Sequence, residues 1–299
     1  MEGLKRIWNL IVLSAQKYKK DDPIRLAGTT AYFTVFALAP IIIIIISVIG
    51  LLLGQETIEE KAFAELNSLL GDQGAEMIRG FVENYKDTER DILGTIIGFG
   101  IFIFSATSFF TVLQKSLNFV WRIRAKPSRG ILKTLKDRVL SFGMVLSLGL
   151  LLLISLVIDA TIAVLKDFLT ERLPGLTVFL IRVGNFVISF GIIMVIFAMI
   201  YKFLPDARIK WRVTWMGALI TTILFVAGRT LIGLFLGNAN VGIMYGAAGS
   251  LFVILLWVFY SSIIFFFGAE ITQQYAEIYS HGIQPKDYAV AIEISEQKE

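Results

Sequence analysis

Residues 248–270 read AGSLFVILLWVFYSSIIFFFGAE and carry no charge until Glu270. A hydrocarbon core about 30 Å thick needs roughly 20 helical residues to cross it. The stretch is long enough, and it lacks the strict alternation of a transmembrane barrel strand. Five more stretches behave alike: Ala31–Leu53, Ile92–Leu113, Val139–Leu165, Thr177–Tyr201 and Val213–Leu236. Only helices and closed barrels satisfy their backbone polar groups away from water. The chain therefore reads as an all-α polytopic membrane protein with six transmembrane helices. Composition agrees, since 56% of the residues are hydrophobic and 17% charged, against about 25% charged in an ordinary soluble domain. The absence of cysteine excludes disulfides and thiolate chemistry.

Two amphipathic regions flank the first span. Leu4, Ile7, Trp8, Ile11, Ala15 and Tyr18 recur at helical spacing, with Lys5, Arg6, Lys17, Lys19 and Lys20 beside them. This N-terminal helix lacks the apolar run and cleavage site of a signal peptide. It either lies on the membrane surface or packs against the bundle. The loop 54–91 carries ten acidic residues between Glu56 and Asp91. It also shows two helical faces, Ile58, Ala62, Leu66 and Leu69, then Met77, Ile78, Phe81, Val82 and Tyr85. A helical outer loop follows, its acids either a solvated face or a partner-docking surface. Residues 1–280 form one six-helix domain, and 281–299 read as a polar cytoplasmic tail.

Basic residues set the orientation. Segments 1–30, 114–138, 202–212 and 271–299 hold 20 Lys and Arg, whereas 54–91, 166–176 and 237–247 hold 6. Positive loops stay in the cytoplasm, so both termini are expected inside. The loop 114–138 is the most basic, and Trp121, Arg122, Arg124 and Lys126 are expected to contact anionic lipid headgroups there. The topology rule already accounts for these charges, so no nucleic-acid partner is inferred.

Three charges fall within predicted spans and away from their ends: Asp159, Arg182 and Arg229. All sit in the outer half, about 8–10 Å from the outer ends at 1.5 Å per residue. Such residues usually face the bundle or a wet cavity. Asp159 pairs with Arg182, or Arg182 snorkels to the interface. Arg229 shares a face with Thr222, Gly233 and Gly237 and is the candidate anion contact, because guanidinium binds two phosphate oxygens at once. Pro40, with Thr30 and Tyr32 before it, forms either a plain kink or the irregular wall of a substrate path. Gly94–Gly98, Gly233–Gly237 and Gly242–Gly246 have the spacing of close helix contacts. Glu270, at the inner end of the last span, is expected to pair with Arg25. The single histidine, His281, leaves no metal pair and no catalytic triad. No enzyme activity, metal or cofactor is expected.

Three stretches resemble the YihY / virulence factor BrkB family of bacterial inner-membrane proteins. They are DPIRLAGTTAYFTVFALAP (22–40), YKFLPDARIKWRVTWMG (201–217) and YGAAGSLFVILLWVFYSSIIFFFGAEITQQ (245–274). The resemblance runs over roughly residues 5–280. It implies a six-helix protein of the bacterial cytoplasmic membrane. Some members carry the label ribonuclease BN, which the lone histidine does not suit. Others are connected with envelope integrity and with lipid-related export. The expected function is transport or binding of an anionic, lipid-like molecule, with membrane lipids as partners. The alternative is a non-transporting scaffold that docks an envelope protein or a second copy of itself.

The charge bias generates a topology test. Single cysteines placed in this cysteine-free chain at Glu2, Arg124, Lys210 and Glu299 should be labelled only from the cytoplasmic side. Cysteines at Glu76 and Asn240 should be labelled only from outside, and the reverse pattern would invert the protein.

Overall fold

Asp22 and Pro23 make a well-formed helix start: Asp22 Oδ1 accepts from the Arg25 N–H at 3.4 Å, and proline takes the first helical position. The computed structural model describes residues 2–53, 55–88, 92–126, a few positions between 139 and 154, 174–238 and 249–292. The third predicted span, with Asp159, otherwise lies outside the described residues. Described are helices α1 (Glu2–Lys20), α2 (Pro23–Leu53), α3 (Gln55–Thr88), α4 (Ile92–Val120), α5 (Pro174–Phe203), α6 (Trp211–Asn238) and α7 (Gly249–Tyr279). Two short antiparallel ladders complete them. β1 (Ile123–Ala125) pairs with β4 (Ala289–Ala291), and β2 (Ala207–Arg208) pairs with β3 (Gln284–Pro285).

The protein is a mostly helical, polytopic membrane protein. Segments Val183–Phe203, Trp211–Ile232 and Leu251–Tyr279 are long and apolar enough to cross a bilayer. Helix α5 packs against α6 and leaves Val183, Phe186 and Val187 exposed, as a lipid-facing helix does. Helix α7 is the centre, touching α1, α2, α3, α4 and α6.

Helix α1 packs on α7, burying Leu10, Ser14 and Tyr18. The bundle contact, not the free membrane surface, is thus the reading that holds for this face. The acidic loop is one helix, α3, whose Ile58, Ala62, Phe63, Ala75, Ile78 and Val82 are buried against α2 and α7. Helix α2 runs through Pro40 without interruption. Segments 281–299 were expected as a tail, but residues 284–291 supply β3 and β4. Backbone hydrogen bonding recruits them, and that pairing leaves little trace in polarity.

One repeated motif sets the contact between α6 and α7. Residues 217–221 read GALIT and residues 268–272 read GAEIT. A Cβ on Gly217 would land on the Thr272 side chain, and one on Gly268 on the Thr221 side chain. Each threonine hydroxyl donates within its own helix, Thr221 to Gly217 O at 2.8 Å and Thr272 to Gly268 O at 2.7 Å. Further along, Gly228 makes room for Tyr260. Small residues let helix backbones approach where lipid gives no hydrophobic drive. The glycine pairs expected at 233–237 and 242–246 do not include these positions.

The contact can be tested by volume. Gly268→Val should destabilise the folded protein by about 1–3 kcal/mol or more through overpacking, read as a lower midpoint of thermal unfolding in detergent. Gly184→Ala, at a site with nothing among the described residues within 4 Å of the added methyl, should leave the midpoint unchanged.

Candidate functional site

The charged residues gather where α1 ends, α2 begins, and α4 and α7 finish. Asp21 is 2% exposed, and Arg122 Nη2 donates to its Oδ1 at 2.5 Å. Arg122 adopts a left-handed backbone (φ 57°) two residues past the end of α4. Such a residue is held there only by its surroundings, here the Asp21 pair and the Phe119 ring 5.4 Å away. Glu270 is fully buried, with Lys17 Nζ 3.2 Å from Oε1. The ammonium lies at ion-pair distance but off hydrogen-bond geometry, so neither carboxylate oxygen has a hydrogen-bond partner among the described residues. Tyr18, next to Lys17, donates to Ile263 O at 2.7 Å. Burial, with a smaller push from Glu270, holds its phenol well above the ordinary range, so it stays a neutral donor.

Two sequence expectations need correction here. The partner of Glu270 is Lys17, not Arg25. Arg25 is exposed and pairs with Asp22 at 3.2 Å, because capping α2 places those two side chains three residues apart. Trp121 is not a headgroup contact. It is 2% exposed, and its indole N–H donates to Ala269 O at 2.9 Å, tying the end of α4 to α7. Arg122 turns inward with it, whereas Arg124 and Lys126 stay exposed.

A third buried acid organises the ladders. Asp206 accepts from Asn118 Nδ2 at 2.9 Å and Gln114 Nε2 at 3.3 Å, and its N–H donates to Asn118 Oδ1 at 2.9 Å. Its carbonyl accepts from the Lys286 N–H at 2.9 Å. Asp206 thereby joins α4, the α5–α6 connection and the C-terminal segment.

Beside this network opens a notch of about 520 Å³, lined by Arg208, Lys210, Ser280, His281 and Gln284 among others, with no carboxylate among the described residues of its wall. Arg208 also meets Asp287 at 2.5 Å across its exposed side. The first turn of α6 has no acid, although Lys210 and Arg212 sit at the positive end of the helix dipole. An anion placed there would relieve that arrangement. The neighbouring surface is aromatic: Phe203 is 43%, Trp211 48% and Trp215 39% exposed. The two indoles stack 6.3 Å apart, with Lys202 Nζ 5.1 Å from the Trp211 ring. Exposed tryptophan beside cations is the composition of a membrane–water interface. Sequence reading placed this role at Trp121, although WRVTW (211–215) carried the signal.

The expected outer-half site is not brought together among the described side chains. Arg229 is half-buried on α6. Thr222 is fully buried, its hydroxyl spent on Ala218 O at 2.8 Å. The side chain of Arg182 and all of Asp159 lie outside the described residues. Thr30 is buried and donates to Leu26 O at 2.9 Å, but Tyr32 is 58% exposed beside Phe36. Thr30 and Tyr32 therefore do not share one wall with the buried Pro40. Their spacing of two residues puts them on different helix faces.

The family described as virulence factor BrkB matches residues 14–290. A UPF0761 membrane protein of Pseudoalteromonas translucida is 28% identical, over 84% of this chain and 81% of its own length. A UPF0761 membrane protein of Psychromonas ingrahamii is 26% identical over 91% and 89%. One from Pseudomonas paraeruginosa is 26% identical over 85% of this chain but 60% of its own length, so the chain spans less than two thirds of that relative. No solved structure matches.

The Asp21–Arg122 pair makes a stability prediction. Arg122→Gln should cost about 3–5 kcal/mol by leaving a buried carboxylate without its charge partner. Adding Asp21→Asn should recover much of that loss in a double-mutant unfolding cycle. Strict additivity would show that the pair is not coupled.

Proposed function

The chain belongs to the virulence factor BrkB family, and from that premise we propose that it binds or moves an anionic, lipid-like molecule in a bacterial cytoplasmic membrane. In this reading six helices cross the bilayer, both termini are cytoplasmic, and the protein is not an enzyme. The observation that carries it is the notch with Arg208, Lys210 and His281 in its wall beside exposed Trp211 and Trp215. A phosphate group fits the cations, and the acyl chains of the same molecule fit the aromatic surface next to them. Ser280 and Gln284 add neutral hydrogen-bonding groups at the same opening.

Arg229 keeps a place in this proposal as a half-buried cation of the opposite half of α6. A molecule that crosses would meet it after leaving the notch. The scaffold alternative draws support from α3 instead, where Glu56, Glu60, Asp72, Glu76 and Glu83 are exposed. There a basic envelope partner would dock.

Lipid exchange separates the two. Arg208→Gln and Lys210→Gln should each weaken association of the full-length protein with anionic phospholipid, measured in nanodiscs by lipid exchange. The expected loss is about 1 kcal/mol, roughly fivefold, per charge. Neutralising Glu60 and Glu76 should leave it unchanged. Unaltered lipid exchange in the folded Arg208→Gln/Lys210→Gln protein would remove the notch from the proposal.

A further inference from the structure

The buried oxygens left without hydrogen-bond partners among the described residues are Asp21 Oδ2, both oxygens of Glu270, and Gln273 Oε1. All are acceptors; Asp21 directly follows α1, Glu270 faces Lys17 of α1, and Gln273 lies on α7 with Glu270. Glu270 and Gln273 are three residues apart, one above the other on a single helix face. What this cluster lacks is a hydrogen to donate.

Lys17 links the buried part of the seam to solvent. Its ammonium sits 3.2 Å from Glu270 Oε1 and 3.8 Å from Glu277 Oε1. Glu270 is fully buried, Lys17 is 23% exposed and Glu277 is 49% exposed. One cation therefore stands between an inner and an outer carboxylate, two helical turns apart along α7.

We propose that Glu270 is a proton-binding site within the bundle, reached from the solvent along Lys17 and Glu277. As a carboxylate, Glu270 faces the Lys17 ammonium at 3.2 Å. When a proton arrives from hydronium by way of Glu277, a new O–H bond forms on Glu270 and a water molecule is released. The neutral carboxyl can then donate to Gln273 Oε1, which satisfies two of the orphaned atoms at once. Lys17 keeps all its protons and shifts to Glu277, loosening α1 from α7.

The other ionisable groups at the seam are accounted for. From α1 they are Tyr18, which donates to Ile263 O, and Asp21, which is bound to Arg122. Of the remaining helices packed on α7, Arg25 of α2 is held by Asp22 and Arg79 of α3 lies 4.6 Å from the Phe63 ring. Lys115 of α4 and Arg212 of α6 are exposed. An ionisable group buried in a membrane bundle commonly marks a proton or ion path. The related motif in α6 has Leu219 where α7 has Glu270, so helix packing does not itself require an acid there.

The test uses the full-length chain in lipid nanodiscs and does not depend on lipid binding at the notch. Infrared difference spectra between alkaline and mildly acidic pH should show a protonated-carboxyl C=O band, lost in Glu270→Gln. Spin labels at Leu13→Cys and Gln284→Cys, free of background cysteines, should report a pH-dependent distance in the parent. With Glu270→Gln the acidic-state distance should persist at every pH. If that variant does not assemble, Lys17→Gln decides, because removing the ammonium must strengthen the carboxyl band at fixed pH. A band and distance change that survive Glu270→Gln would overturn the proposal, as would an unchanged band in Lys17→Gln. A parent with no carboxyl band at any pH has only water on these oxygens, and that too overturns it.

Discussion

The close approach of α6 and α7 is the contact from which the rest of the arrangement follows. Two copies of a glycine–threonine spacing, at 217–221 and 268–272, face one another head to tail, each glycine receiving the other helix's threonine. In lipid there is no hydrophobic gain from bringing two apolar helices together, so packing and satisfied polar groups must hold them. The threonine hydroxyls donate to their own helices, so they can be buried without a partner across the interface. The Tyr201 hydroxyl adds α5 to the same point, donating to Phe265 O at 2.7 Å. Helix α7 is fixed at this contact, and its remaining faces accept α1, α2, α3 and α4.

The polar end is a separate layer built on that frame. Burying a charge is costly unless it is paired and hydrogen-bonded. Asp206 is hydrogen-bonded at both carboxylate oxygens and along its backbone, with partners from α4 and the C-terminal segment. Asp21 meets it in part through Arg122, and Glu270 meets it only through the Lys17 ion pair. The gradient is informative. The satisfied acid lies where the connecting segments are stitched together, and the poorly satisfied one lies on the central helix beneath α1.

At the same end the surface turns outward to cations and indoles. Trp211 and Trp215 are one turn apart on α6 and exposed, whereas Trp121 is enclosed between α4 and α7. A tryptophan in a basic loop can serve the membrane interface or lock two helices together. The sequence around Trp121 suits both roles equally. Its indole N–H finds Ala269 O because α4 and α7 converge there, a fact of three-dimensional position.

Lipid solvation was legible directly, because the length of an apolar run is a local property. The helical character of the acidic segment 55–88 and of the N-terminal segment came from periodicity, which is also local. The gathering of Lys17, Asp21, Arg122 and Glu270 was not legible, since the members are separated by up to 253 positions in the chain. Glu270 looked like a partner for Arg25 because both end spans on one side. Helix capping claims Arg25 for Asp22, and the docking of α1 delivers Lys17 instead. The GALIT and GAEIT pair was present in the sequence, yet a glycine–threonine spacing means little until another helix faces it. The sequence alone determined solvent and helix class through short-range patterns, whereas α2 starts at Pro23 and α7 runs on to Tyr279, beyond the apolar runs 31–53 and 248–270. The choice of buried charge partners, the inward turn of Trp121 and the pairing of the C-terminal strands were decided only by the tertiary structure, because each depends on which distant groups packing brings within a few ångströms.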